Sequence, residues 1–277
     1  MRDEVTAGGV GDLPIGVFDS GLGGLTVVRA IRELLPKERI IYLGDSARVP
    51  YGTRSPETIE RYAWNCSRFL VARGLKMLVI ACNTATALAL PSLRQRIEVP
   101  VLGVIKAGAR AAATATKNRR VGVIGTAGTV GSGAYPREID SRAPGCSVFQ
   151  NAAPLLVPLA EEGWLEGEVP RLAVRRYVTP LVREGIDVLL LGCTHYPLLA
   201  GTIREELDAL GSEAAIVDSA NAMASDVAIE LARRGAERGA GEGTLECFVT
   251  DLPASFAEVA GRFLGGEVGS VEKVDIS

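Results

Sequence analysis

Met77-Leu78-Val79-Ile80-Ala81 is an unbroken apolar run, preceded by Gly74 and closed by Cys82-Asn83-Thr84. A strand with one wet face alternates apolar and polar residues. A run without alternation suits a parallel strand covered on both faces. Asp187–Leu191 is a second such run, closed by Gly192-Cys193-Thr194-His195-Tyr196-Pro197.

Outward from these runs, strand and helix alternate. Pro14–Phe18 reads as a strand that passes through Asp19-Ser20-Gly21-Leu22-Gly23-Gly24 into a helix. That helix carries apolar Leu25, Val28, Ile31 and Leu35 and is closed by Pro36. Arg39–Gly44 and Pro100–Ile105 read as strands. Pro56–Arg73 reads as a helix with Ile59, Tyr62, Ala63, Cys66, Phe69 and Leu70 on one stripe. A second series opens with a strand at Arg120–Gly125 and the Gly-rich stretch Thr126–Gly133. A helix over Pro170–Glu184 follows, which Pro180 is expected to kink or split. Ala215–Asp218 reads as a strand, Ala220–Arg234 and Pro253–Leu264 as helices, Leu245–Thr250 as a strand and Gly235–Gly243 as a surface loop.

The two series form a weak internal repeat. Gly16 opens the first and Gly122 the second, and each later reaches an apolar strand tipped by Cys82 or Cys193. The expected fold is α/β, with two similar lobes of mainly parallel sheets facing across a central cleft. Ligands of open α/β sheets bind beyond the carboxyl ends of the strands. Both cysteines sit at such ends, so they are expected on opposite walls of the cleft. The expected division is a flexible tail over 1–13, a first lobe of 14–104 plus 217–277, and a second lobe of 105–216.

Composition narrows the function. The chain has 277 residues, 47% of them hydrophobic, enough for one large or two ordinary cores. A net charge of −3 with 5% aromatics lacks the basic footprint of a nucleic-acid binder. No apolar run is long enough to span a bilayer, and no secretion signal is evident, so a cytoplasmic protein is expected. Five cysteines in a reducing compartment are catalytic, metal-bound or core residues rather than disulfides. A lone histidine, His195, excludes multi-histidine metal sites. No metal site is expected.

Two thiols on opposite walls suit a pair of bases around one carbon. One thiolate removes a proton from one face while the other thiol protonates the opposite face, inverting the centre. Each cysteine precedes short polar residues at a helix or turn start, where backbone N–H groups favour a thiolate and lower its pKa. The plainer alternative is that both are small core hydrophobes. Cys66 and Cys247 read as core and Cys146 as incidental. Asp19 and Ser20 are either helix caps or ligands of a substrate ammonium and carboxylate. His195, two residues from Cys193, is an activating partner or a backbone-bonded turn residue. Asp45 ends a strand and is either structural or part of the cleft. Gly21-Leu22-Gly23-Gly24 does not match the dinucleotide-binding spacing.

Four motifs in order carry a resemblance: Phe18-Asp19-Ser20-Gly21-Leu22-Gly23-Gly24, Pro50-Tyr51-Gly52, Ala81-Cys82-Asn83-Thr84-Ala85 and Gly192-Cys193-Thr194-His195-Tyr196-Pro197. Together, over about residues 14–265, they resemble the glutamate racemases of the aspartate/glutamate racemase superfamily. The resemblance implies cofactor-independent interconversion of L- and D-glutamate, supply of D-glutamate for peptidoglycan, and a homodimer. It implies Cys82 and Cys193 as the acid/base pair, with Asp19 and His195 as their helpers. Substrate binding would fall to Asp19, Ser20, Tyr51, Gly52, Asn83, Thr84, Thr126, Thr194 and His195, and Glu161 resembles the family's acidic residue near the histidine. One departure is Gly103-Val104-Ile105-Lys106-Ala107, where the family usually has Glu-Pro at the last two positions. It bears on lobe motion and dimer contacts rather than on the chemistry. The alternatives are an aspartate or hydantoin racemase, a pyridoxal-phosphate racemase using Lys76 or Lys106, and a two-lobed solute-binding protein.

Overall fold

The computed structural model describes residues 9–252 and 256–276. Most of the tail over 1–13, its residues 1–8, lies outside the described residues, as does the expected helix start at 253–255. Residues Val10–Asp12 form a single 3-10 turn, fastened by Lys76 Nζ donating to the Gly11 carbonyl at 2.8 Å. That part of the expected flexible tail is therefore tied to the body.

Among the described residues the strands form two parallel sheets. The first contains β1 (Ile15–Asp19), β2 (Ile40–Gly44), β3 (Met77–Ile80), β4 (Val101–Gly103), β9 (Leu245–Val249) and β10 (Val271–Lys273), in the order β10-β9-β2-β1-β3-β4. The second contains β5 (Arg120–Gly125), β6 (Ser147–Ala152), β7 (Val188–Gly192) and β8 (Ala215–Asp218), in the order β6-β5-β7-β8. The expected two-lobed α/β architecture is what forms.

The unalternating runs have the physical cause the sequence suggested. In β3, Met77 and Val79 enter one core, while Leu78 and Ile80 enter the core on the other face. Each such side chain gains roughly 1.5–3 kcal/mol from burial. The largest core is shared: it runs from Ile15 and Val17 in the first lobe to Leu189, Leu191 and Cys193 in the second. Helices α1 (Leu25–Leu34), α4 (Val104–Ala115) and α10 (Ser219–Arg234) pack together along this junction.

Several expectations need correction. The strand over Pro100–Ile105 stops at Gly103, and α4 begins at Val104, because VIKAGARAAATA is dominated by alanine, the best helix former. Lys106 is exposed and Ala107 buried in the first turn and a half of that helix. The Gly-rich stretch after β5 contains α5 (Ala127–Gly131) and leads to α6 (Ala134–Asp140). Pro180 neither splits nor ends α8 (Glu168–Arg183). Both Pro180 and Arg176 are exposed, so the carbonyl freed four residues earlier turns to water. The boundary drawn after residue 216 falls inside β8, whose Val217 and Asp218 pair with Leu190 and Leu191. Asp218 then caps α10 through the Ala220 and Asn221 N–H groups. The chain returns to the first sheet at β9.

Strand ends in register set the site. Asp19 pairs with Gly44 and Phe18 with Ile80, so Asp19 and Cys82 emerge at the same edge of the first sheet. Gly125 pairs with Gly192, so Thr126 and Cys193 emerge together from the second.

Candidate active site

A cavity of about 360 Å³ lies between the two lobes. Cys82 and Cys193 both line it, with Ser20, Tyr51, Gly52, Asn83, Thr84, Thr126, Glu161, Thr194 and His195. Of the predicted substrate contacts, only Asp19 does not line it. Asp19 is fully buried at the end of β1, and the next residue, Ser20, takes the wall.

Cys82 caps the helix α3 (Asn83–Arg96), its Sγ accepting from Ala85 N–H at 3.4 Å. The expectation of a lowered thiol pKa fails here. Burial, then the negative charge of Asp19, push the Cys82 thiol up to about 12, outweighing the hydrogen bonds from Ser20 and Ala85. Asp19 Oδ2 accepts from Gly21 N–H at 3.0 Å, while Oδ1 is buried with no hydrogen-bond partner. Burial raises the Asp19 carboxyl above its ordinary range, against the opposing charge of His195.

The Cys193 wall is built differently. Cys193 opens a turn, followed by the 3-10 turn Tyr196–Leu199 rather than directly by an α-helix. His195 Nδ1 lies 3.8 Å from Cys193 Sγ, and Nε2 lies 3.0 Å from Glu161 Oε1. Glu161 ends α7 (Leu156–Glu161). Burial opposes the charge on His195, but its hydrogen bonds to Cys193 and Glu161 win and raise its pKa to about 10. The ring thus lies between the Glu161 carboxyl group on one side and a sulfur on the other, in surroundings that favour its charged form.

The lobes meet directly at the cavity's other side. Thr84 and Thr126 hydroxyls are 2.9 Å apart, and Thr126 donates to Thr129 at 3.0 Å. A Cβ on Gly52 would lie 2.9 Å from Thr126 Cβ, so only glycine permits this approach. Tyr135 of α6 donates to Asn83 Oδ1 at 2.6 Å, leaving Asn83 Nδ2 buried and unpartnered beside the cavity. Gly23 is equally confined, because a Cβ there would sit 2.2 Å from Thr194 Oγ1.

Other candidates are structural. Asp45 accepts from Arg48 Nε at 2.8 Å, from Thr250 Oγ1 at 2.9 Å and from the Tyr51 hydroxyl, and does not line the cavity. It braces the loop that offers Tyr51 and Gly52. Lys76 is buried in an ion pair with Glu38, and Lys106 lies on α4, so neither candidate Schiff-base lysine reaches the cavity. Cys66 and Cys247 are buried core residues and Cys146 is half-buried at the surface. Among the described residues no cluster of three or more His, Cys, Asp or Glu side chains is set to hold a metal, and no helix is long and apolar enough to cross a membrane. Tyr135 was not singled out from sequence, since it belongs to no motif and meets Asn83 only across the lobe junction.

The comparisons with known proteins agree with this fold. Residues 15–227 match the Asp/Glu/Hydantoin racemase family. The chain is 51% identical to the glutamate racemase of Geobacter metallireducens, over 95% of this chain and 96% of that one. The crystal structure of Francisella tularensis glutamate racemase with D-glutamate aligns with a TM-score of 0.90 at 35% identity, covering 96% of this chain and 99% of that one. The glutamate racemase of Thermus thermophilus, crystallised with beta-chloro-D-alanine, aligns at 0.86 with 43% identity over 96% and 98% of the two chains. A two-lobed fold, two cavity-facing thiols and similarity spanning nearly the whole chain lead to one assignment: the chain belongs to the Asp/Glu/Hydantoin racemase family, among its glutamate racemases.

Proposed function

We propose that this enzyme interconverts L- and D-glutamate by proton transfer between two thiols, Cys82 and Cys193. The observation that carries the reading is that these cysteines, from different sheets, line one cavity. Cys82 acts as the thiolate base toward D-glutamate. The α-proton moves to its sulfur, and the electron pair stays on the α-carbon and its carboxylate. Cys193 gives its thiol proton to the opposite face and becomes the thiolate. For L-glutamate the same transfers run in reverse.

The surroundings supply what a weakly acidic C–H needs. The raised Cys82 thiol is a strong base once ionised, and the substrate ammonium offsets the Asp19 field that disfavours its ionisation. His195, held charged by Glu161, supports Cys193 as proton donor. Asn83 Nδ2, the Thr84 and Thr194 hydroxyls and the Ser20 loop are suited to the ammonium and α-carboxylate. The Tyr51-Gly52 backbone is suited to the side-chain carboxylate, because the Tyr51 hydroxyl is already committed to Asp45. The closed Thr84–Thr126 seam keeps water from a carbanion-like charge. No step calls for a cofactor or metal.

The same reading carries a cytoplasmic homodimer that supplies D-glutamate for peptidoglycan, with the departure at Lys106-Ala107 bearing on lobe motion rather than chemistry. The test is to incubate pure protein with D-glutamate in D₂O and follow optical rotation and α-deuterium. Loss of rotation with deuterium in the product is expected, and full racemisation by both Cys82→Ala and Cys193→Ala would end the two-thiol reading. A panel containing aspartate and a hydantoin separates the alternative substrates.

A further inference from the structure

The histidine on the Cys193 wall is gripped by residues of the other lobe. Helix α11 (Phe256–Leu264) lies between β9 and β10 of the first sheet and packs on α1. Its Phe263 is fully buried, and the ring meets the His195 ring edge-on, with centroids 5.0 Å apart and planes at 75°. The preceding residue, Arg262, donates from Nη1 to the Glu161 carbonyl at 2.7 Å. Its guanidinium also covers Gly163, where a Cβ would lie 2.8 Å from Arg262 Cζ. Gly163 has φ +75, a left-handed value that glycine adopts without strain, so the turn after α7 and the arginine fit each other. Two adjacent residues of the first lobe's return segment thus hold both members of the His195–Glu161 pair, and neither lines the cavity.

We infer that Arg262 and Phe263 are positioning residues for the Cys193 half of the reaction. Phe263 sets the His195 ring, and Arg262 sets the end of α7 that carries Glu161. The inference rests on His195 serving Cys193, as proposed above. A proton donor displaced by about 1 Å can cost on the order of 10²-fold in rate, so a contact outside the cavity can govern the step inside it. An edge-on contact sets the positive ring edge against the negative ring face, which favours one ring orientation.

The two directions of the reaction give a readout that simple destabilisation does not move. The enantiomers have equal free energy, so any variant must lose kcat/KM equally in both directions. The α-deuterium isotope effects, however, report which sulfur limits the rate. Slowing the Cys193 step raises the isotope effect on L-glutamate, whose deuteron goes to Cys193. It lowers the effect on D-glutamate toward one, because the limiting step then delivers a solvent-derived proton.

The experiment measures initial rates on protiated and α-deuterated D- and L-glutamate for Phe263→Leu, Arg262→Gln and His195→Asn, with unfolding midpoints alongside. Phe263→Leu and Arg262→Gln are expected to lose about tenfold in kcat/KM in both directions, within the range that small misplacements cost. Both should split the isotope effects in the same sense as His195→Asn, but less. Wild-type isotope effects in these two variants, at any stability, would overturn the inference. If His195→Asn itself produced no split, the assignment of His195 to Cys193 would be what fails. Should Phe263→Leu not fold, Arg262→Gln decides alone, since that side chain is 28% exposed and its loss leaves the core intact.

Discussion

The two walls of the cleft present the same atom in opposite company. Cys82 Sγ sits at a helix start beside a buried carboxylate, with Ser20 and Ala85 as its polar partners. Cys193 Sγ sits in a turn 3.8 Å from the His195 ring, whose pKa is raised by its hydrogen bonds to Cys193 and then Glu161, against burial. Asp19 stands behind the Cys82 wall and His195 lines the other. Two walls related by a weak sequence repeat thus surround the same atom differently, and under the proposed mechanism one sulfur serves as the base toward D-glutamate and the other as the proton donor.

The largest effects should come from removing either sulfur. Cys82→Ala and Cys193→Ala are each expected to lower racemisation at least about 10³-fold, near the upper range for losing an acid/base group. The comparison sharpens if hydrogen exchange without inversion survives on one enantiomer only. NMR in D₂O should show Cys193→Ala exchanging D-glutamate and Cys82→Ala exchanging L-glutamate. The reverse pattern would interchange the two faces.

His195→Asn should cost about 10²-fold in kcat, with a smaller change in KM, because it removes a proton source rather than a substrate contact. Kinetics in both directions check this. A larger effect on KM would mean that His195 mainly binds substrate.

The walls should also differ in how they respond to pH. The His195 pKa is raised from its ordinary value of 6.5 to about 10 in the folded state. Its contribution to stability is therefore complete below about pH 6.5 and is lost as pH rises through about 10. Denaturation midpoints should fall over that window in the wild type and fall less in His195→Asn. A parallel decline in both would assign the pH dependence elsewhere. Cys82, raised from 9.0 to about 12, adds its own loss only above about pH 9.

The smallest effect concerns the junction between the walls. Tyr135→Phe removes the donor to Asn83 Oδ1 and should cost about 1 kcal/mol in stability. KM should rise several-fold with kcat nearly kept, as the unpartnered Nδ2 loses its fixed direction. An unchanged KM would remove Asn83 from the substrate contacts.

Much of this was legible beforehand, for identifiable reasons. The runs in β3 and β7 revealed strands buried on both faces, and the polar residues after them marked the cavity walls. Segments with weak local signals were not legible. The strand β6 is a half-exposed edge with no clear period, and α4 followed too closely on a short strand to be separated from it. Asp19 was expected to touch the substrate, yet it is fully buried and Ser20 takes the cavity wall in its place. The expected low pKa of Cys82 failed because helix-start geometry was visible in the sequence while the depth of burial was not.

Local order along the chain was enough to determine the parallel α/β architecture and to mark both thiols, because strand burial and strand-end chemistry are written in neighbouring residues. Only the tertiary structure decided which partners each thiol keeps. Glu161 reaches His195, Tyr135 reaches Asn83, and Phe263 reaches His195 across tens of residues and, for the last two, from the opposite lobe. Electrostatic and packing energies depend on distance through space, and distance along the chain does not encode it.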